Sequence, residues 1–231
     1  MYFLSLETST KTFSLSVSRD DKVLRFRNLK TTKLLENSII TAIDKLLASA
    51  KVKFNQLDAF AIGLGPGSFT SLRVGLSTVK AFCMATQKPV VGICSLDVIA
   101  AATDGREYDQ ICVFNDARRG NVYAAIYVGG KCQSGHLLTT PAQVLDMVQG
   151  KTLFIGDALP LYRKDIESAY KVHAKAKGKA CQAFFADEQM WQPQAAVLAD
   201  LAYDRLKKND TDDASKLLPI YLYPEDCQVR K

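Results

Sequence analysis

Two acidic residues stand at the head of two similar loops. Glu7 closes an apolar run over residues 2–7 and is followed by the hydroxyls Thr8, Ser9 and Thr10. Asp116 follows the apolar run ICVFN at 111–115 and precedes Ala117, Arg118, Arg119 and Gly120. A carboxylate at the end of a strand, close to a phosphate, can organise magnesium. Arg118 and Arg119 suit either of two tasks, since the planar guanidinium binds phosphate and carboxylate equally well. A third loop, Gly65-Pro66-Gly67-Ser68, lies between an apolar run and a helical pattern. Its glycines permit backbone conformations closed to other residues, and free amides at a helix start attract anions. Glu7, Thr8, Ser9, Thr10, Gly65, Gly67, Ser68, Asp116 and Arg118 are therefore the candidate nucleotide or phosphate contacts.

Other chemistries lack their residues. The glycine loop matches neither G-x-x-x-x-G-K-[ST] nor G-x-G-x-x-G, so it also reads as a plain structural turn. The two histidines, His136 and His173, form no H-x-x-x-H pair, and no cysteine or carboxylate group has metal-ligand spacing. No G-x-S-x-G elbow is present. The expectation is an absence of catalytic and metal-binding residues, which also argues against a protease.

The elements that would position these loops follow from period and turn chemistry. Phe13, Leu15 and Val17 alternate with Ser14, Ser16 and Ser18 as in a half-buried strand. Arg19-Asp20-Asp21-Lys22 reads as a hairpin turn into a third strand carrying Leu24 and Phe26. Leu35, Ile39, Ala42, Ile43, Leu46 and Leu47 form the apolar stripe of a helix at about 33–50. A buried strand at 59–64 leads into the glycine turn, and a helix at about 69–86 follows. Phe69, Leu72, Leu76, Val79 and Cys83 form its core stripe, while Ser71, Gly75 and Thr78 form a second stripe of small residues. Glycine inside a helix costs about 0.5–1 kcal/mol against alanine, a cost that close approach of another helix offsets. Ser68 and Ser95 are placed as helix N-caps.

The pattern then recurs. With a constant offset of 109 residues, Glu7 falls on Asp116, and Phe13, Leu15 and Val17 fall on Val122, Ala124 and Ile126. This implies a duplicated protein with lobes at 1–107 and 108–231, the final helix packing back on the first lobe. The second half continues with a helix at 141–149, a strand at 152–156 and a helix at about 193–208. A polar linker at 209–216 and a short apolar tail come last.

The 231 residues suffice for one large domain or two small ones, and the net charge of +6 is modest. The N-terminus lacks the marks of a secretory signal, and no apolar run approaches the roughly 20 residues of a membrane helix. Six scattered cysteines without C-x-x-C read as buried thiols of a reducing cytoplasm. The densest basic stretch, Arg163 to Lys179, is either a solvated helix face with its loop or an RNA contact; its one aromatic, Tyr170, makes no stacking platform.

The stretch GLGPGSFTSLRVGLSTVKAFCMATQKPVVGICSLD at 63–97 closely resembles the central signature of the TsaB (YeaZ) family. LETST at 6–10, NDARRGNVYAAIY at 115–127 and PIYLYPED at 219–226 resemble further segments of that family. The resemblance spans almost the whole chain. It implies an α/β, duplicated actin/Hsp70-like (ribonuclease H-like) fold in a cytoplasmic protein. It also implies an accessory pseudo-enzyme that activates TsaD in forming threonylcarbamoyladenosine on tRNA, with TsaE as a further partner. The family's dimer surface, used with TsaD or in a homodimer, carries over to about Leu34–Ala48 and Ser71–Met84. On these residues it is represented by Leu35, Ile39, Ile43, Ser71, Gly75, Thr78 and Phe82. ATP or ADP with magnesium is implied for the complex, not for this chain alone; tRNA is met through the complex, and neither membrane nor DNA is implied. Glu7 stands where aspartate is common in the family. The competing reading, from the paired acidic loops, is an autonomous ATPase or sugar-kinase-like phosphotransferase.

Overall fold

The computed structural model describes residues 1–30, 38–172 and 181–223, and of 173–177 the helical backbone alone. Leu35 and the side chain of His173 thus lie outside the described residues. The chain divides into two units. One is Met1–Val98 with Pro193–Ile220; the other is Ile99–Gln192 with the tail from Tyr221. The division thus falls at Val98, and the segment holding the last helix belongs with the first unit.

The first unit is a five-stranded sheet in the order β3-β2-β1-β4-β5. Its strands are β1 (Tyr2–Glu7), β2 (Thr12–Arg19), β3 (Lys22–Lys30), β4 (Ala59–Gly63) and β5 (Val90–Ile93). The first three run antiparallel as hairpins, whereas β1, β4 and β5 are parallel neighbours. Parallel strands need crossovers and are covered on both faces, which explains the near-continuous apolar runs of β4 and β5. Helices α1 (Ile39–Ala50) and α2 (Phe69–Thr86) share one face. There Leu4, Leu6, Phe13, Leu15 and Phe60 meet Ile39, Ile43, Leu46, Leu76 and Val79 in one core.

On the other face lies α6 (Ala195–Leu206). It buries Leu198, Ala199, Ala202 and Leu206 against Phe3, Ala59, Ala61 and Val91. This helix corrects one expectation. The serine face of β2 is not solvated: Ser14, Ser16 and Ser18 are all buried. Ser14 Oγ accepts from the Ala195 amide, and Ser16 Oγ donates to the Ala195 carbonyl at 2.8 Å. The expected polar linker at 209–216 is also engaged. Asp212 Oδ2 accepts from the Gly92 amide at 2.8 Å, and the Asp212 amide donates to Val90 O at 2.8 Å, closing the free edge of β5.

The second unit repeats the plan. Its sheet runs β8-β7-β6-β10-β11, which is β3-β2-β1-β4-β5 again by position and direction. The strands are β6 (Gln110–Arg118), β7 (Asn121–Val128), β8 (Lys131–Cys132), β10 (Lys151–Ile155) and β11 (Gln182–Phe185), with β9 (Leu137–Thr139) beside β7. Strand β7 stands at the offset of β2 residue for residue. Helices α4 (Pro141–Met147) and α5 (Leu159–Lys177) cover one face, where Val144, Ile166 and Tyr170 meet Phe114 and Phe154. The short helix α3 (Ser95–Ala101) links the two units in sequence.

Replacing Ser14 with alanine leaves the buried Ala195 amide without its acceptor. We expect a loss of about 1–3 kcal/mol, read as a lower urea midpoint with an unchanged m-value. An unchanged midpoint would show that the β2 to α6 tie contributes nothing.

Candidate functional site

In the first unit, the loops after β1, β4 and β5 meet at the carboxyl ends of the parallel strands, where open α/β sheets place their ligands. Here the loops engage each other. Glu7 is fully buried; its Oε1 accepts from the Ser9 amide at 2.8 Å and its Oε2 from the Ser95 hydroxyl at 2.9 Å. Ser95 Oγ accepts in turn from the Gly65 amide at 3.0 Å, and the Ser95 amide donates to Gly65 O at 2.7 Å. The Ser68 amide donates to Ser9 O at 2.7 Å. The glycine turn is thus a joint. Its Gly65 and Ser68 amides, candidates for phosphate, are held by Ser95 and Ser9, and each Glu7 carboxylate oxygen already accepts a hydrogen bond. Thr8 and Ser9 are buried with it, leaving Thr10 half-buried.

Three glycines make room for this joint. A Cβ on Gly63 would overlap the Glu7 carboxylate, one on Gly67 the Ser9 carbonyl, and one on Gly75 the Thr8 side chain. Gly75 therefore answers to a loop of its own chain rather than to a second helix. Ser95 opens α3 but directs its hydroxyl to Glu7, not to a helix amide. Ser68 occupies the N-cap position of α2 without capping it, and its hydroxyl donates to Ser71 Oγ at 3.0 Å.

Burial drives the Glu7 carboxyl above its ordinary value; hydrogen bonds from Ser9, Ser95 and the Thr8 amide oppose the rise without cancelling it. The thiols respond the same way. Desolvation raises Cys83 to about 11, and Cys94 to about 12 with added help from the Asp97 charge. Such thiols are inert packing groups rather than nucleophiles.

The second unit has the matching turn. Asp116 Oδ1 accepts from the Arg118 amide at 2.8 Å, the counterpart of Glu7 with Ser9. Asp116 Oδ2 also pairs with Arg118 Nη1 at 2.9 Å, and the Asp116 amide donates to Asp157 Oδ1 at 2.9 Å. Of the two tasks open to Arg118, the salt bridge is the one formed. Asp157 follows β10 and was not anticipated; its only sequence signal is its place just after Gly156 at a strand end.

The residues expected at a partner surface divide by burial. Ile39 and Ile43 of α1 are 2% and 1% exposed, and the core of their own unit occupies them completely. Gly75 is buried under Thr8. Phe82 of α2 packs edge-on against Phe54 at 4.9 Å and leans on Phe60. Ser71 and Thr78 are half-buried, and Thr78 Oγ1 donates to Val74 O at 2.8 Å. The large apolar side chains that these two helices expose are Ile40, Phe69 and Met84, at 49%, 54% and 76%. Phe69 was expected in the core stripe. It stands instead in the first turn of α2 beyond the sheet, with the Arg73 guanidinium 4.0 Å above its ring. Among the basic residues at 163–172, Arg163 pairs with Glu167 at 3.1 Å and lies over Phe185, while Ile166 and Tyr170 are buried.

A family model described as TsaD, tRNA N6-adenosine threonylcarbamoyltransferase, matches residues 30–221. The chain is also 27% identical to the Bacillus subtilis tRNA threonylcarbamoyladenosine biosynthesis protein TsaB, over 100% of this chain and 97% of that protein. The chain belongs to the TsaD family, on its TsaB (YeaZ) branch. A solved Pseudomonas aeruginosa structure, described as similar to peptidase YeaZ, superposes on this TsaB-family chain with a TM-score of 0.78. It does so at 22% identity, over 96% of this chain and 99% of that one. A ROK hexokinase from Thermus thermophilus superposes with a TM-score of 0.52 at 11% identity, over 90% and 100% of the two chains, which shows the shared actin-like fold. An uncharacterised Mycobacterium leprae protein is 43% identical over 98 residues. The match covers 42% of the TsaB-family chain and 26% of that longer protein.

Two outcomes test the joint. Helix propensity alone gives Gly75→Ala a gain of about 0.5–1 kcal/mol. The overlap with Thr8 predicts instead a net loss of about 1–3 kcal/mol; a stabilised variant in urea unfolding would contradict the packing. Because Glu7 binds its proton more readily folded than unfolded, it makes stability fall as pH rises from the ordinary carboxylate value toward the raised one. Glu7→Gln removes that fall. Its urea midpoint should move upward relative to wild type as pH rises from the ordinary carboxylate value, and a difference that stays constant with pH would refute the assignment.

Proposed function

We propose that this chain acts in threonylcarbamoyladenosine formation on tRNA, as a non-catalytic accessory subunit that binds and activates a TsaD-like protein. The observation that carries the reading is the closed joint of the first unit, in which Glu7, Ser9, Ser95, Gly65 and Ser68 hydrogen-bond one another. The full-length likeness to a protein named for this pathway supports the same reading.

In this reading α1 and α2 meet the catalytic partner, or a second copy of the chain when the partner is absent. Ile40, Phe69 and Met84 replace the buried Ile39, Ile43 and Gly75 and the half-buried Phe82 as the contact residues. TsaE, tRNA reached through the complex, ATP or ADP with magnesium at the complex, and a cytoplasmic location belong to the proposal too. No helix among the described residues is long and apolar enough to cross a membrane, which is compatible with that location.

The test is threonylcarbamoyl transfer to unmodified tRNA in a reconstituted reaction. Transfer that requires this chain, and that the chain does not perform alone, supports the accessory role. Transfer or magnesium-dependent ATP turnover by the chain alone, lost in Asp116→Ala, would support the autonomous enzyme instead. Ile40→Glu combined with Met84→Glu should weaken binding of the catalytic partner at least about tenfold, about 1.4 kcal/mol, without lowering the melting temperature. Unchanged binding would move the contact off these helices. Gly75→Glu is unsuitable for this purpose, since it would drive a charge into Thr8.

A further inference from the structure

The outer strand of the first sheet concentrates charge that the fold itself does not require. Strand β3, KVLRFRNLK, holds Lys22, Arg25, Arg27 and Lys30 and no acidic residue, and all four cations are exposed. Without them the net charge of +6 would fall to +2. The second unit fills the same position beside β7 with the two residues of β8 and the three of β9, which carry one basic residue, Lys131. A nine-residue basic strand is therefore a feature of this unit and not of the sheet plan.

Register fixes the side on which these charges stand. Arg25 lies opposite Val17 and Arg27 opposite Leu15. Directly paired residues of an antiparallel ladder share a face, so both arginines stand on the face where Leu15 and Val17 join the core with α1. Same-face neighbours along a strand are about 7 Å apart, close enough for one polynucleotide strand to meet both. Lys22 and Lys30 mark the two ends of β3, opposite Arg19 and Thr12. The aromatic of the strand, Phe26, lies opposite Ser16 and so on the other face.

Arg25 is oriented by its own unit. Its Nε donates to the Ser49 carbonyl of α1 at 3.2 Å and its Nη1 to Leu24 O at 2.7 Å, and a guanidinium has five N–H groups to give. None of Lys22, Arg25, Arg27 and Lys30 forms an ion pair with a described residue. The acids nearest in sequence, Asp20 and Asp21, lie in the turn before the strand, and Asp20 meets the N-terminal ammonium at 2.7 Å. The basic residues of α5 differ, being interleaved with Asp165 and Glu167, the latter paired with Arg163. Like charges left without counter-charges repel one another, a cost that a polyanion relieves. Charge on an outer strand also discourages pairing with another chain, but short strands achieve that in the second unit.

We infer that β3 is a contact for the phosphodiester backbone of an RNA, with Arg25 and Arg27 on the phosphates of one strand and Lys22 and Lys30 extending the track. A row of cations spread along nine residues matches an extended polyanion, whereas a small anion is normally held in a concavity. With Phe26 on the opposite face, the contact takes phosphates and does not stack bases. The choice of RNA among polyanions rests on the function proposed above.

The experiment is fluorescence anisotropy of a labelled, unmodified tRNA transcript with the full chain, titrated at several salt concentrations between about 50 and 200 mM. Lys22→Gln, Arg27→Gln and Lys30→Gln combined remove three charges and keep Arg25, which ties β3 to α1. This variant should bind about tenfold more weakly or worse and flatten the slope of log K against log salt by about 2–3. Lys131→Gln, Lys151→Gln and Lys164→Gln combined remove equal charge from exposed positions of the second unit. They should flatten the slope by less than about 1. Ultraviolet cross-linking of the wild type to the same transcript should attach RNA within residues 22–30, which keeps the test decisive if the β3 variant fails to fold. Equal losses in the two triple variants, an unchanged slope in the β3 variant, cross-links confined to other segments, or no salt-sensitive tRNA binding by the wild type would each overturn the inference. Loss of a protein partner by the β3 variant with tRNA binding intact would overturn it as well. The accessory role fails separately, on transfer that does not depend on the chain.

Discussion

One buried carboxylate organises the first unit. Glu7 stands where three parallel strands end, and burying an ionisable group there is tolerated only if its oxygens are paired. The Ser9 amide and the Ser95 hydroxyl pair them. Because Ser95 begins the segment after β5 and Gly65 lies after β4, the same two bonds draw three loops together. Gly63, Gly67 and Gly75 lack side chains where these loops and α2 approach, and each would otherwise overlap a group of the joint. An apolar residue at position 7 would remove the charge but leave the Ser9 amide and Ser95 hydroxyl unsatisfied.

The second unit carries the same topology and the same turn, yet its acidic residue is put to a different use. Asp116 is only partly buried and holds an arginine on the surface. Duplication preserved the backbone frame, since the sheet order and the turn bond recur. It did not preserve what the frame encloses. One copy closes on itself and the other presents charge, so a shared fold with sugar kinases says little about which chemistry survives in each half.

Much of this was legible in the residues. The helix at 69–86, the strands around 59–64 and 90–94, and the repeat at an offset of 109 all appear in the structure, because apolar period and turn chemistry act over a few residues. The short strand β11 escaped notice. Its four residues, QAFF, follow a basic run and have no alternation of their own; parallel pairing with β10 makes them a strand. Ser14, Ser16 and Ser18 read as a wet face because nothing nearby covers them. Their cover, α6, arrives 181 residues later in the chain.

The candidate site divides along the same line. By itself the sequence determined the fold class, the family, the acidic turns and the glycine loop, all of which are written in contiguous residues. Only the tertiary structure decided that Glu7 is enclosed, that Gly75 faces Thr8 rather than another helix, and that Ile39 and Ile43 serve the core while Ile40, Phe69 and Met84 remain outside. The reason is physical. An amphipathic period says which residues share a face, but which face is covered, and by what, depends on elements distant in sequence that pack together only in the folded chain.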